Sequence, residues 1–246
     1  MNITISRLQD KENYIEQYKI NKENITALEA LEYIKENIDS TLTYRSGCKS
    51  GICGSCSILV NDREVLACKC KLSEDISIKP LKNSSIIKDL VVDLKQTKKL
   101  LAKSKAFIEK VQEIDINKED EKLIDIQSTC ILCQNCYSSC PVYEVNKDFL
   151  GPFALTRVLR YVNDKKEANK TGKLDAIQAN GIWDCTLCGN CTIACPQFID
   201  SKTDIMNLRM KSIQNGYSDP TIQSNDFLNE FNNYNDFDTG FNPNSF

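Results

Sequence analysis

The sequence predicts an α+β protein, because two kinds of pattern follow one another along the chain. Short alternating apolar runs occupy residues 1–93, whereas residues 94–216 carry helix-like spacing and loops. Twelve of the thirteen cysteines fall in three dense sets, one in the first part and two in the second. Residues 217–246 form an Asn/Asp/Phe-rich tail, and no Lys or Arg follows Lys211.

In chain order, residues 3–8 and 14–20 alternate well enough for two strands, with Asp10-Lys11-Glu12-Asn13 as the turn. Thr26-Ala27-Leu28-Glu29 has the form of a capping box and opens a helix to about Asn37. Leu28, Leu31, Ile34 and Ile38 line one face of it, as core residues do. Residues 57–60 and 64–67 flank Asn61-Asp62-Arg63 and read as a hairpin. The first part is thus a small mixed unit wrapped around the first cysteine set. Residues 97–112 are lysine-rich with spaced apolar positions and read as a helix with a solvated basic face. Further helices are expected over 119–127, 152–163 and 203–213, with Pro152 suited to a first turn. The tail is read as loosely ordered or as a segment that wraps a partner.

Composition narrows the chemistry. The chain has 246 residues, a net charge of -3 and no histidine. Zinc sites using imidazole, Rieske clusters, His-ligated haem and Ser-His or Cys-His catalysis are therefore excluded. No basic block points to nucleic acid. No apolar run approaches the roughly 20 residues needed to span a bilayer. The N-terminal residues lack a basic region followed by an apolar stretch, so no signal peptide is expected, and a reducing compartment favours metal over disulfides.

The cysteine spacing carries the functional argument. Cys48, Cys53, Cys56 and Cys68 follow C-x4-C-x2-C-x11-C. Cys130, Cys133, Cys136 and Cys140 follow C-x2-C-x2-C-x3-C and precede Pro141. Cys185, Cys188, Cys191 and Cys195 repeat that pattern before Pro196. The first is the plant-type 2Fe–2S spacing and the other two are the bacterial ferredoxin spacing. Zinc usually takes two separated pairs instead of four cysteines in so short a run. In two-cluster ferredoxins the fourth cysteine of a run ligates the other cluster. Gly47, Gly51 and Gly54 permit left-handed backbone around the first set, and their loop amides can point at cluster sulfurs. Three redox centres with little other chemistry read as a relay for single electrons. A zinc-stabilised binding protein without a redox role is the competing class.

With these residues on the page, the chain resembles the iron–sulfur subunit of succinate dehydrogenase and fumarate reductase. The resemblance rests on Tyr44-Arg45, on 51–56 and Leu66-Ala67-Cys68, and on 87–93. It continues through Gly151-Pro152 with Leu155 and Arg157, and through the paired cysteine runs. It implies an N-terminal β-grasp plant-type ferredoxin domain, residues 1–93, followed by an all-α bacterial-type di-cluster ferredoxin domain, residues 94–216. It also implies a 2Fe–2S cluster on Cys48, Cys53, Cys56 and Cys68, and a 4Fe–4S cluster on Cys130, Cys133, Cys136 and, crossing over, Cys195. Cys140, Cys185 and Cys191 would hold the third cluster, which is 3Fe–4S in most of the family. There the position of Cys188 is not cysteine. Here a thiolate is available, so 4Fe–4S is expected, with 3Fe–4S beside an unligated Cys188 as the alternative. Cys70 has no counterpart as a ligand and is expected to be a structural thiol.

The resemblance further implies an FAD-containing flavoprotein partner that interconverts succinate and fumarate. The flavin is expected there and not on this chain, which has no G-x-G-x-x-G run. No residue of this chain is expected to act as acid or base. A second partner would be a quinone-reactive membrane or cysteine-rich subunit using a menaquinone-type quinone. The chain would lie peripherally on the membrane, on the cytoplasmic side by default or on the periplasmic side through co-export. Val142-Tyr143-Glu144-Val145 replaces the usual Trp-bearing segment, and Thr186 stands where quinone-linked members often have His. Both departures resemble the subgroup of methylmenaquinol:fumarate reductases. An iron–sulfur subunit of another flavin-linked enzyme, glycolate oxidase-like or a thiol-driven fumarate reductase, is the alternative.

Overall fold

The computed structural model describes residues 1–9, 12–73 and 75–220. Strands β1 (Asn2–Gln9) and β2 (Glu12–Lys19) form an antiparallel pair with Ile5 opposite Glu16. Asp10 and Lys11 of the expected turn lie outside the described residues, while Glu12 and Asn13 belong to β2. Ile3, Ile5 and Arg7 alternate inward along β1, the period-2 signature of a strand with one buried face.

Helix α1 (Ala27–Asn37) opens on the expected capping box: the Thr26 hydroxyl accepts from Glu29 N, and Glu29 accepts from Thr26 N. Ala27, Leu28, Ala30, Leu31 and Ile34 are buried against the sheet. Ile38 corrects the sequence reading, because it is the C-cap, leaves helical geometry and is half exposed.

The hairpin β3 (Ser57–Val60) and β4 (Arg63–Leu66) turns at Asn61 and Asp62, both with positive φ, the conformation that matches strand twist in a two-residue turn. Sequence reading missed β5 (Ile76–Lys79), β6 (Ile86–Lys88) and β7 (Val91–Val92). The main sheet has the order β2-β1-β5-β3-β4, with β1 and β5 parallel and the other pairs antiparallel. A helix laid across such a mixed sheet is the β-grasp arrangement.

Helix α2 (Lys95–Lys103) is shorter than the expected 97–112. It ends because Lys105 takes a left-handed φ of 53°. The segment that follows is held by the buried Lys173 ammonium, which donates to Lys105 O and Phe107 O. Lys98, Lys99 and Lys103 are exposed and Leu100 is buried, as a solvated basic face requires. The expected helix over 119–127 divides into α3 (Lys118–Lys122) and α4 (Asp125–Ser128), and Asn163 Nδ2 caps the released Leu123 carbonyl at 3.2 Å.

Short helices α5 (Asn135–Ser138) and α6 (Pro141–Val145) follow, then α7 (Pro152–Asn163), which begins on Pro152 as expected. Helices α8 (Lys170–Asp175), α9 (Asn190–Ile193) and α10 (Ser201–Gln214) complete the described part, and α10 packs on α7. The second core gathers Phe149, Phe153, Leu155, Val158, Ile205 and Leu208. Most of the tail, residues 221–246, lies outside the described residues.

The two cores meet along a polar seam. Ser138 Oγ donates to Glu64 Oε1 at 2.9 Å, Asn83 Nδ2 to Tyr137 O at 2.9 Å, and Gln197 Nε2 to Gly51 O at 3.3 Å. Ile131 and Cys133 pack against the first core. The glycine-rich loop is thereby set beside the second cysteine set.

Candidate metal centres

The loop 46–56 follows β2 and α1 and folds back on itself to surround Cys48. The amides of Ser50, Ile52 and Cys53 donate to Cys48 Sγ at 3.4, 3.3 and 3.3 Å, and Cys48 N donates to Cys53 Sγ at 3.4 Å. Hydrogen bonding by the Ser50 side chain, then by the amides of Ser50, Cys53 and Ile52, lowers the Cys48 pKa to about 5, so this thiolate forms readily. Cys56 and Cys68 are buried, and burial raises Cys56 to about 11. A Cβ at Gly47 would lie 2.9 Å from Cys53 Sγ, so the loop wraps its sulfurs more closely than any side chain there allows.

Gly54 has a φ of +69°, and an added Cβ would sit 2.9 Å from the Cβ of Cys133. Gly54→Ala is expected to cost ~1–2 kcal/mol from the left-handed backbone alone, with a further cost as the seam opens. Thermal loss of the loop's visible absorbance at a lower temperature than in the wild type is the expected result. An unchanged temperature would show that the seam does not constrain the loop.

The two later runs share a backbone pattern. Leu132 and Gln134 have φ of 54° and 69°, and the equivalent Leu187 and Gly189 have 56° and 86°. Each run winds through two left-handed residues and then enters a short helix, α5 or α9. This winding turns three thiols of a run inward and sends the fourth away. A cavity is lined by Cys130, Cys133, Cys136 and Cys195, with Phe153 and Ile199 as apolar walls. The other four thiols form a second group: burial and then the nearby Cys185, Cys140 and Cys188 push Cys191 up to about 12. Burial also raises Cys140, which feels Cys185 and Cys188. Each group therefore takes three thiols from one run and one from the other, except that Cys188 stands on the exposed side of the second group.

Four thiols lining a cavity with apolar walls suit an iron–sulfur cluster on donor chemistry, whereas no group of three or more His, Cys, Asp or Glu among the described residues is placed to hold a single metal ion. Among the buried polar atoms left without partners are both side-chain amide atoms of Asn135, which directly precedes Cys136. No described cysteine forms a disulfide. Cys70 is half-buried against the first core, with its thiol raised by burial. Tyr143, after Pro141, is buried; its amide donates to Cys140 Sγ at 3.5 Å and its ring meets Tyr137 edge-on at 4.5 Å.

Fold and thiol geometry together define a two-domain iron–sulfur protein of ferredoxin type. Residues 2–99 match the family model described as a 2Fe-2S iron-sulfur cluster binding domain, and residues 126–199 match a 4Fe-4S dicluster domain. The chain is 32% identical over 237 residues to the fumarate reductase iron-sulfur subunit of Haemophilus influenzae, covering 86% of this chain and 93% of that one. It is 34% identical over 235 residues to the 8-methylmenaquinol:fumarate reductase iron-sulfur subunit of Wolinella succinogenes, covering 88% and 74%. In fold it is similar to a chain of the Mycobacterium smegmatis Sdh1 complex in the apo form, with a TM-score of 0.78, 20% identity, and 88% and 97% coverage. The chain belongs to the family of succinate dehydrogenase and fumarate reductase iron–sulfur subunits, and its role is electron transfer.

Sequence reading left Phe153 without a role at the thiols. From the first turn of α7 it lines the first four-thiol cavity. The helix start read at Pro152 was the available signal.

Proposed function

We infer that the chain relays single electrons through three clusters between an FAD-bearing succinate/fumarate flavoprotein and a quinone-reactive partner. The observation that carries this reading is the cavity lined by Cys130, Cys133 and Cys136 of one run together with Cys195 of the other. In this assignment Cys48, Cys53, Cys56 and Cys68 hold 2Fe–2S, and Cys130, Cys133, Cys136 and Cys195 hold 4Fe–4S. Cys140, Cys185, Cys188 and Cys191 hold the third cluster, as 4Fe–4S. Residues 1–93 and 94–216 are the corresponding domains, in keeping with the two cores. When bound, the clusters supply one-electron donor and acceptor states in series. The chain's own work is to hold them: thiolates ligate, the 46–56 amides donate to sulfur, and Phe153 and Ile199 exclude water.

Val142 and Thr186, in place of the expected Trp and His, support the methylmenaquinol-type subgroup, with a cysteine-rich partner and a menaquinone-type quinone. No helix among the described residues is long and apolar enough to cross a membrane. Attachment through a partner, peripheral to the membrane, fits that.

The third cluster gives the sharpest test. The oxidised wild-type complex, purified without oxygen, is expected to lack a 3Fe–4S EPR signal, and Cys188→Ser is expected to create one. A 3Fe–4S signal of equal size in both proteins would remove Cys188 from the ligand set.

A further inference from the structure

We propose that residues 221–246 dock on their own chain, laying an acidic, aromatic segment along the basic face of α2 and setting a phenyl ring in the cavity beside that helix. Residues 221–246 carry Asp226, Glu230, Asp236 and Asp238 and no Lys or Arg. Three of these acids directly precede a phenylalanine, in Asp226-Phe227, Glu230-Phe231 and Asp236-Phe237. Helix α2 has the opposite composition: Lys95, Lys98, Lys99 and Lys103 are exposed, and it contains no acid. Lys98 and Lys99 carry their charge without a carboxylate partner among the described residues.

The cavity beside α2 measures about 300 Å³ and is lined by both parts of the chain. Leu81, Leu90, Leu101 and Leu132 wall it, and Arg45 and Lys98 add positive charge. Only one thiol of the first set, Cys53, and one of the second, Cys133, reach it, so it is not a ligand cavity. Thr97 lines it as well; it is 8% exposed, and its hydroxyl has no hydrogen-bond partner among the described residues. Apolar walls with cationic side chains fit an acid followed by a phenyl ring.

The chain leaves its described part close to this helix. Tyr217 N donates to Ser212 O at 3.1 Å, and Tyr217 Oη donates to Asp175 at the end of α8. Lys173 of α8 in turn holds Lys105 O at 3.0 Å, two residues beyond α2. The nine residues of α2 span about 14 Å. The 26 residues 221–246 can reach up to roughly 90 Å when extended. Exposed ion pairs hold little singly, so the buried ring supplies the hold and the charges supply the register. Tethering keeps the effective concentration high. A ring in the cavity excludes water from the seam at Gly54 and Cys133.

The test uses the full chain in its purified complex, with the photo-crosslinker p-benzoylphenylalanine in place of Leu228. Crosslinks to α2 or to the cavity walls of the same chain are the expected result. Hydrogen exchange gives a second readout: removal of residues 221–246 should speed exchange of the α2 amides at least tenfold. Lys98→Glu/Lys99→Glu should do the same, and adding Asp226→Lys/Glu230→Lys should restore most of the protection. Crosslinks that are absent, or confined to a partner subunit or a second copy, would overturn the proposal. So would α2 exchange that truncation leaves within twofold, or a rise spread evenly over both cores.

Discussion

Cys195→Ser is expected to remove the cluster bound by the other cysteine run and to spare the one bound mainly by its own. The cavity of Cys130, Cys133 and Cys136 takes its fourth thiol from Cys195, whereas Cys185, Cys188 and Cys191 take theirs from Cys140. In that assignment crossed ligation would make each cluster a clamp between α5 and α9, which are already in contact, and would couple metal binding to folding of the helical domain. The signal from Cys188→Ser serves as a marker. In Cys188→Ser/Cys195→Ser the 3Fe–4S signal should persist while 4Fe–4S iron and sulfide are lost. In Cys188→Ser/Cys140→Ser that signal should vanish. Contiguous ligation would reverse both outcomes.

Arg7→Met should produce the largest loss of stability in the first domain, with the fold of the second little changed. The Arg7 side chain is fully buried and meets three carboxylates: Glu16 at 2.7 Å, Asp39 at 2.5 Å and Asp89 at 3.0 Å. It also donates to Tyr18 Oη at 2.5 Å and Thr41 Oγ1 at 2.9 Å. Asp89 in turn accepts from the amides of Leu8 and Thr43, at 3.1 and 2.8 Å. One guanidinium thus ties β1 and β2 to the segment 39–45 that leads into the cysteine loop. Removing one partner of a buried pair typically costs ~3–5 kcal/mol, because the remaining charge stays buried. Asp89, with no exposed side-chain surface, would be that charge.

The expected result is bleaching of the 2Fe–2S absorbance on heating well before the 4Fe–4S absorbance, an order not expected in the wild type. Arg7→Lys should rescue only part, since an ammonium cannot fork between the partners. Equal melting of wild type and Arg7→Met would show that the network is dispensable.

The same network has a defined pH window. Burial opposes ionisation of Asp39, but hydrogen bonds from Thr41, Arg7 and Tyr18 hold its carboxyl well below the usual range. A depressed carboxylate contributes fully above its unfolded value, about 3.9, and loses that contribution as the pH falls through its lower folded value. Stability from Asp39 is therefore constant across neutral pH and fails only in acid.

Sequence signals were strongest where one physical rule acts locally. The capping box at Thr26 and the Pro152 helix start need only neighbouring residues, and both appear as read. Strand β5 escaped notice because it has four residues and owes its place to parallel pairing with β1, more than 70 positions earlier in register (Ile3 with Ile76). The helix over 97–112 was overextended because its lysines carry a helical pattern past Lys103, while a buried Lys173 from far along the chain captures the carbonyls beyond. At the candidate metal centres, spacing named the cysteines, and the family resemblance already implied the exchange of Cys140 and Cys195. The left-handed backbone at Leu132, Gln134 and Leu187 was not legible, because the identity of these residues does not announce that conformation.

The most direct measurement is on the native complex, purified without oxygen and oxidised, with EPR recorded before and after succinate is added. Reduction of clusters on this chain by succinate is the predicted result and would link it to a succinate/fumarate flavoprotein. Clusters that are present but unmoved by succinate, yet reduced by dithionite, would contradict that link and assign the chain to another dehydrogenase.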